Sequence, residues 1–238
     1  EAAGAPSCAS APMVEDRTYL LQLAQAWVPF RCHELRAAAE ASGVRLAFDE
    51  STHHPDNHLL WIRVPDEASV VRLAARAVLL KGVLEVWGHG ESWDDMADAL
   101  LAYPRDLAAP YLAEGTTFKV TVHSQGGRKM NDDERLTLIK RCEPLLPWKG
   151  KVRMREPDHN FVVIVDQRGE QQRHYFFGRL IAEGRRDLVG KYDLKKRNYI
   201  GTTSLDAELS LLMANLARVK PNDLVYDPYC GTAGTLVA

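Results

Sequence analysis

The chain has 238 residues, of which 46% are hydrophobic and 26% are charged. This is an ordinary globular composition, and the length predicts two or three domains. No apolar run approaches the ~18 residues of a membrane span, and residues 1–13 lack the basic start and apolar core of a secretory signal. We therefore expect no membrane span and a soluble, cytoplasmic protein.

Cysteine and histidine spacing gives no sign of a metal centre. The four cysteines are Cys8, Cys32, Cys142 and Cys230. They are widely separated and form no C-x-x-C pair, which argues against both a disulfide framework and a zinc cluster. His53, His54 and His58 lie near one another, but no acid or cysteine completes a ligand set. The sequence therefore predicts free thiols and no metal site.

The formal net charge of −2 conceals an uneven distribution. Residues 1–116 carry 9 Lys and Arg against 17 Asp and Glu, residues 117–200 carry 19 against 11, and residues 201–238 carry 2 against 4. The middle segment thus has a net charge of +8, between segments of −8 and −2. Clustered cations gain affinity for nucleic acids by displacing counterions from phosphates. The middle segment is a candidate polyanion-binding surface, with scattered solvated side chains as the alternative.

The first predicted folding unit covers residues 18–88. Strands are predicted at 18–24, 44–48, 58–64 and 79–87, and helices at 31–42 and from a cap at Asp66 to about residue 78. The order β-α-β-β-α-β is the ferredoxin-like arrangement, in which two helices cover one face of a four-stranded antiparallel sheet. We therefore expect an α+β unit at the start of the chain.

A second unit follows a helix at 93–102 and a link through Pro104 and Pro110. Strands are predicted at 118–123, 151–155, 161–165 and 174–177, with a helix from a cap at Asn131 to about residue 142. A basic connector at 185–197 precedes a helix at 205–217, for which Ser204 is the expected cap. The turn Pro221-Asn222-Asp223 then leads to a strand at 224–226.

The end of the chain has the pattern of a ligand site. The predicted strand runs into Asp227-Pro228-Tyr229-Cys230-Gly231-Thr232-Ala233-Gly234, a glycine-spaced turn that opens a helix. In α/β sheets, glycines at this place let the backbone approach a ligand, and the helix N-terminus offers free N–H groups to an anion. The spacing matches neither G-x-G-x-x-G nor a phosphate loop. A ligand with a carboxylate and an adenosine, such as S-adenosylmethionine, fits better, and an ordinary strand-turn-helix without ligand is the alternative.

Two groups of short sequence motifs make a family resemblance specific. Residues 152–158 (VRMREPD), followed by 161–165 (FVVIV), resemble the strand-Pro-Asp-strand signature of the RNA-binding THUMP domain. Residues 175–179 (YFFGR), 195–206 (KKRNYIGTTSLD), 213–215 (MAN) and the glycine turn, together with 85–90 (EVWGHG), resemble the catalytic subunits of eukaryotic tRNA (guanine-N2)-methyltransferases that act at tRNA position ten. The similarity runs from about residue 19 to the end.

The resemblance implies a domain order. A head at 1–17, expected to be disordered, precedes a ferredoxin-like domain at 18–105, a THUMP-like domain at 106–180 and a basic linker at 181–200. Residues 201–238 are then the first helix and strand of a Rossmann-like, α/β methyltransferase domain that continues beyond the sequence. The catalytic Asp/Asn-Pro-Pro-Tyr loop of the family is absent from the 238 residues, because Asp227-Pro228-Tyr229 lacks the second proline and is the cofactor loop. The fragment alone is therefore expected to be inactive.

The resemblance also implies functional residues and partners. The family transfers a methyl group from S-adenosylmethionine to the exocyclic N2 of a guanosine in tRNA and works with a small zinc-binding activator subunit. The implied cofactor-binding residues are Thr203, Ser204, Asp227, Pro228, Cys230, Gly231, Thr232 and Gly234. The implied RNA contacts are Arg185, Arg186, Lys195, Lys196 and Arg197. Ala233 departs from the glycine usual in the family, and its methyl group is expected to crowd the cofactor or to be tolerated where φ is negative.

Two other functions remain open at this point. The chain could be a THUMP fragment that binds tRNA without catalysis, since the group that positions the amine is missing. It could also belong to another THUMP-containing enzyme, such as a thiolation or rRNA-modifying protein. The glycine turn and the match at residues 85–90 disfavour the last alternative.

Overall fold

The computed structural model describes residues 16–168, 172–198, 201 and 204–238. The predicted head at 1–17 therefore lies almost wholly outside the described residues. The strands are β1 Arg17–Leu23, β2 Leu59–Val64, β3 Leu80–Gly90, β4 Thr117–Gln125, β5 Lys151–Val152, β6 His159–Arg168 and β7 Gln172–Glu183. The helices are α1 Arg31–Ala41, α2 Glu67–Ala74, α3 Trp93–Ala102, α4 Arg105–Leu112, α5 Asp132–Cys142, α6 Arg186–Lys191, α7 Ala207–Leu216 and α8 Gly234–Val237.

The strands form one seven-stranded sheet in the order β2-β1-β3-β7-β6-β4-β5. Its first part has the ferredoxin-like order, with β1 between β2 and β3 and antiparallel to both. The predicted strand at 44–48 is wrong in extent, because only Ala47 pairs, in a single bridge to Arg63. The amide of Val44 is bonded to Ala39 O at the end of α1, and directly after Phe48 the carboxylate of Asp49 caps a 3₁₀ turn at Glu50–Thr52, so the extended segment between them is short.

The second part of the sheet is mixed, because β4 runs parallel to both β5 and β6. Asn131 caps α5 as predicted, and its side chain and that of Glu134 form a reciprocal capping box. The link through Pro104 and Pro110 is a further helix, α4, which begins directly after Pro104 and tolerates Pro110 near its C-terminal end. Burial of Ala108 and Leu112 stabilises this helix against the core.

Antiparallel pairing of β3 with β7 joins the two parts. The backbones approach so closely at Gly178 that a Cβ there would lie 2.3 Å from Glu85 O, so a larger residue would force the strands apart. Strand β7 continues to Glu183, six residues beyond the predicted end of that strand. The predicted ferredoxin-like and THUMP-like units therefore share a continuous sheet.

Helices α1 to α5 cover one face of this sheet. Helices α1 and α2 close an apolar core on β1, β2 and β3, and α3, α4 and α5 close a second core on β4, β6 and β7. The opposite face carries a third cluster, in which Leu20, Leu84 and Ile164 are fully buried. The alternation along β1, with Leu20 in the third cluster and Leu21 in the first, is the expected period of two.

The sheet coils around that third cluster. Gln22 of β1 and His123 of β4 are separated by three strands, which in a flat sheet would place them ~19 Å apart. Their side chains nevertheless form a hydrogen bond of 2.9 Å between His123 Nδ1 and Gln22 Oε1. The sheet must therefore curve so that β1 and β4 approach each other over the third cluster. Burial at this contact lowers the pKa of His123.

Arg179 of β7 connects the two helix-covered cores electrostatically. Its guanidinium lies 2.6 Å from Glu67 Oε2 of α2 and 3.0 Å from Glu85 Oε2 of β3, with 8% of its side chain exposed. It also lies 3.9 Å from the ring centroid of Tyr111, which belongs to α4. These contacts stabilise the charged form, and the pKa of Arg179 is raised despite its burial.

We expect Arg179→Met to destabilise the chain by ~2 kcal/mol, because it leaves two acids without their cation. The value lies below the ~3–5 kcal/mol of a fully buried pair, since both acids are partly exposed. Urea unfolding followed by circular dichroism measures the change. Arg36→Met, which breaks the exposed pair with Glu50, is the control and should cost under ~1 kcal/mol. Equal effects of the two variants would contradict a linking role for Arg179.

Candidate functional site

The predicted glycine turn is present, but the strand before it is not. Residues 224–226 form no strand, and Leu224 is 97% exposed. A strand needs a hydrogen-bonding neighbour, and none of the described strands pairs with this segment. Asp227 Oδ1 accepts a bond of 3.0 Å from Tyr229 N, which starts the turn, and the amide of Ala233 closes on Cys230 O at 2.7 Å.

Ala233 adopts a left-handed backbone conformation with φ of 59°. The condition under which its methyl group would be tolerated, a negative φ, is therefore not met. A non-glycine residue pays roughly 1–2 kcal/mol in this region, because Cβ approaches the following carbonyl oxygen. Gly231 has a φ of 52° in the same turn, where a glycine carries no such penalty. Ala233 is thus a source of local strain at the start of α8.

The turn is tied to the segment that precedes α7. Thr232 Oγ1 donates to Ser204 Oγ at 3.0 Å, so the structure brings together two of the predicted cofactor-binding residues. Thr203 lies outside the described residues. Ser204 does not cap α7, as its hydroxyl bonds to the backbone of Gly201. Asp206 is the cap instead, and its carboxylate accepts bonds from the first amides of the helix.

Helix α7 forms the floor beneath the turn. Gly234 is buried, and a Cβ at this position would lie 3.3 Å from Ser210 Oγ and 3.6 Å from Leu205 O. The other side of the turn is open: among the described residues, chain neighbours aside, a Cβ at Gly231 would have within 4 Å one atom, Tyr229 O at 3.9 Å. Cys230 and Gly231 are exposed on that side, and Pro228 is exposed beside them. A small ligand could therefore reach the backbone of the turn from solvent.

The predicted RNA contacts in the basic connector are mostly engaged within the chain. Arg185 pairs with Asp187 at 3.0 Å, and this bond raises the pKa of the arginine. Arg186 pairs with Glu208 of α7 at 2.7 Å and also donates to Val78 O. Arg186 therefore ties the start of α6 to α7 and to the segment before β3, whereas the Arg185 pair is local to the connector.

The other three connector cations, Lys195, Lys196 and Arg197, differ in what their side chains contact. Lys196 Nζ donates to Gly190 O, and Arg197 Nη1 donates to Thr232 O of the glycine turn at 3.2 Å. Lys195 has only its backbone amide bound, to Asp193. Of the five predicted RNA contacts, Lys195 is thus the one whose side chain forms no hydrogen bond or ion pair with the described residues. All five residues stay predictions as RNA contacts.

Sequence reasoning missed a row of cations along β5 and the turn after it. The four side chains Lys149, Lys151, Arg153 and Arg155 are exposed, and no hydrogen bond or ion pair of theirs is recorded within the described residues. Val152 and Met154 between them are 68% and 69% exposed. Strand β5 is the edge of the sheet and spans two residues rather than the five predicted. The alternation of cations at 149–155 was the available signal.

Two further properties concern the whole described chain. No group of three His, Cys, Asp or Glu side chains that could hold a metal ion occurs in residues 16–168, 172–198, 201 and 204–238. Within the same ranges, none of the helices has the length and apolarity needed to cross a membrane.

Comparison with known proteins gives relatives along almost the entire chain. It is 36% identical over 92% of its length to human tRNA (guanine(10)-N(2))-methyltransferase TRMT11, of which it covers 48%. It is 31% identical over 93% of its length to the tRNA (guanine(10)-N(2))-methyltransferase of Saccharomyces cerevisiae, of which it covers 52%. The chain therefore spans about half the length of these relatives.

A solved structure shows the same fold at low sequence identity. The crystal structure of a predicted N6-adenine-specific DNA methylase from Listeria monocytogenes superposes with a TM-score of 0.50 and 14% identity. The match covers 94% of the chain and 54% of that protein. This similarity shows a shared fold over most of the chain.

The sequence profile of the Tmrp11 THUMP N-terminal domain matches residues 17–186. The match spans most of the chain, including the whole seven-stranded sheet. It confirms the resemblance that residues 152–165 and 175–179 indicated. The chain belongs to the Tmrp11 THUMP N-terminal domain family and is related to the tRNA (guanine(10)-N(2))-methyltransferases.

Proposed function

We propose that the full-length protein is an S-adenosylmethionine-dependent methyltransferase that modifies the exocyclic N2 of the guanosine at tRNA position ten. The observation that carries the proposal is that the glycine turn packs against the basic connector, in a chain that matches the THUMP family. Thr232 of the turn is bonded to both Ser204 and Arg197, so the candidate cofactor loop lies directly against the basic connector. The human and Saccharomyces cerevisiae relatives are named for this activity.

The residues of the turn fit the amino-acid end of S-adenosylmethionine. Gly231 leaves the open side of the turn accessible, and Thr232 and Ser204 supply hydroxyls beside it. When bound, S-adenosylmethionine would supply an electrophilic methyl group on a sulfonium. The chain's own residues would hold and orient it, and no catalytic residue is assigned among them. The Asp/Asn-Pro-Pro-Tyr loop that would position the target amine is expected in the remainder of the protein.

RNA recognition is assigned to the THUMP part and its cationic surfaces. The side chains of Lys149, Lys151, Arg153, Arg155 and Lys195 form no direct ion pair with an acid of the described residues, which suits contacts to phosphates. As in the sequence-based expectation, the proposal includes a small zinc-binding activator subunit as partner and the cytoplasm as location. The 238 residues alone are expected to bind tRNA without methylating it.

Transfer of labelled methyl groups to tRNA tests the activity. The full-length protein, with its activator subunit, should methylate an unmodified tRNA transcript that has guanosine at position ten. A transcript with inosine at that position should accept no label, because inosine lacks the exocyclic amine. Label on the inosine transcript would place the methyl group elsewhere, and no label on either transcript would show that the assignment is wrong.

Replacement of Lys149, Lys151, Arg153 and Arg155 by alanine tests the RNA surface. Each phosphate contact contributes roughly 0.7–0.9 to the slope of log affinity against log salt concentration. We expect the variant to bind tRNA at least ~10-fold more weakly and with a shallower slope. Filter binding over a salt series measures both quantities.

Two variants provide the comparison for this experiment. Arg36→Ala with Arg45→Ala removes exposed cations that already pair with Glu50 and Asp16, and should leave tRNA affinity unchanged. Lys195, Lys196 and Arg197 replaced by alanine should weaken binding through Lys195. Unchanged affinity in this second variant would remove the connector from the RNA surface, and unchanged affinity in the first experiment would remove β5.

Ala233→Gly tests the cofactor turn. Glycine relieves the left-handed strain of the turn, so we expect Ala233→Gly to raise the free energy of unfolding of the full-length protein by about 1 kcal/mol. Gly231→Ala introduces the same strain two residues earlier and should lower the free energy of unfolding by a similar amount, which urea unfolding measures. Because the strain is present in the free turn, Ala233→Gly should bind S-adenosylmethionine within about twofold of wild type in isothermal titration. Weaker binding by Ala233→Gly would instead mean that the alanine methyl group contacts the cofactor.

A further inference from the structure

The backbone between α2 and β3 is a junction for four separate parts of the chain. Within residues 76–79, the amides of Val78 and Leu79 donate to Glu34 of α1, and the carbonyl of Val78 accepts from Arg186. The carbonyl of Arg76 accepts from Asn215 of α7, and that of Leu79 accepts from Ala24 N. This segment therefore joins the sheet to the connector and to the methyltransferase part.

Glu34 is the central acceptor of the junction. It is fully buried, and its Oε1 accepts from Val78 N at 2.9 Å and from Asn215 Nδ2 at 2.8 Å. Its Oε2 accepts from Leu79 N at 2.8 Å. Burial raises the pKa of this carboxyl, while the three donors and the nearby Arg186 act against that shift. The carboxylate is thus held by donors from two different parts of the fold.

Asn215 is the side of this contact that belongs to α7. It is 7% exposed, and its Nδ2 donates both to Glu34 and to Arg76 O. Around it, Val78 and Leu79 pack with Leu211 and Leu212 in a separate buried cluster. The side-chain amide of Asn215 therefore bonds to a residue 181 positions away in the sequence, within an apolar contact between α7 and the sheet unit.

The cofactor turn packs against α7 and the residues just before this helix. Gly234 lies close enough to Ser210 and Leu205 that a Cβ would meet them at 3.3 and 3.6 Å. A continuous physical path thus runs from the sheet through Glu34 and Asn215 to α7, and from α7 to the glycine turn. If α7 moved on the sheet, the turn would move with it.

We propose that Asn215 is a positioning residue for methyl transfer. Through its hydrogen bond to Glu34, it fixes α7, and with it the methyl donor, relative to the RNA-binding sheet. The inference rests on the proposed function. Its consequence is that loss of the bond slows the chemical step while the binding of each substrate by itself is retained, because a displacement of about 1 Å can cost ~10²-fold in rate.

Asn215→Ala in the full-length protein with its activator subunit is the direct test. We expect the single-turnover rate of methylation, at saturating tRNA and S-adenosylmethionine, to fall on the order of 10–100-fold. The dissociation constants for tRNA and for S-adenosylmethionine should each stay within about twofold of the wild-type values. Rates are expressed per cofactor-binding site, so partial unfolding cannot imitate the effect.

Arg218→Ala is the matched control. Arg218 pairs with Glu40 at 2.9 Å, which also links the end of α7 to α1, but both side chains are more than half exposed. An exposed pair contributes little to rigidity, so this variant should retain the wild-type rate within about twofold. Hydrogen exchange provides a readout without catalysis, in which Asn215→Ala should increase exchange in α7 but not in β6.

Asn215→Asp makes the contact depend on pH. It places a second carboxylate 2.8 Å from Glu34 Oε1, facing also the carbonyl of Arg76 and near Arg186. Two carboxylates at this distance cannot both ionise, so their shared proton is lost as pH rises and the hydrogen bond is lost with it. The rate relative to wild type at the same pH should therefore be closer to normal at pH 6 than at pH 8.

Several results would overturn the inference. These are a wild-type rate in Asn215→Ala, a rate loss matched by an equal loss of tRNA affinity, or a defect in Asn215→Asp that does not vary with pH. If the wild-type protein transfers no methyl group to tRNA, the proposed function fails. Hydrogen exchange in the same variants still tests the contact, and unchanged protection of α7 would overturn it.

Discussion

The pairing of β3 with β7 is the constraint on which the rest of the structure depends. These two strands come from the ferredoxin-like and THUMP parts, and their antiparallel ladder makes one sheet of both. The ladder requires Gly178 opposite the backbone of Glu85 and places Arg179 between two acids of the first part. It also delivers the chain, at the end of β7, to the junction at 76–79, where Arg185 N bonds to Ala77 O. Both cores and the course of the connector follow from it.

Cations in this chain serve two distinct purposes. Those in the connector, such as Arg186 and Arg197, bond to α7, the junction and the glycine turn, and so hold the C-terminal segment of the chain in place. Those along the β5 edge form no direct ion pair within the described residues, and their exposed side chains are available to an external anion. Sequence charge alone cannot separate these uses, since a paired arginine and a free one look the same. The positive middle segment is thus partly a structural clamp and partly a candidate RNA surface.

The local signals in the sequence predicted most of the fold. Asp66 and Asn131 cap their helices through side-chain bonds, and the helix at 93–102 has the predicted bounds. The errors lie where long-range contacts decide. In the predicted strand at 44–48, the amide of Val44 bonds to Ala39 O at the end of α1. Residues 224–226 have no neighbouring strand among the described residues. The merging of two predicted units into one sheet depends on pairing between distant segments, which no local pattern contains.

The candidate site was predicted in composition but not in conformation. The turn forms at the residues where the sequence predicted one, whereas its hydrogen bond to Ser204 and the positive φ of Ala233, which depends on how the turn closes on Cys230, were not predicted. The role proposed for Asn215 was not predicted either. Residues 213–215 contributed only to the family resemblance, because the hydrogen bond of Asn215 depends on Glu34, which lies in the first helix of the chain.

The order of the strands has a consequence for synthesis of the protein. Strand β3 ends at Gly90 and its partner β7 begins only at Gln172, so one edge of β3 stays unpaired while the intervening chain is made. At ribosomal rates this interval lasts on the order of 5–15 s. An unpaired edge with Leu84 and Trp87 beside it is a template for intermolecular pairing. Nascent chains should therefore need chaperone protection over this interval, and mutations that slow β7 formation should cause aggregation rather than simple loss of activity.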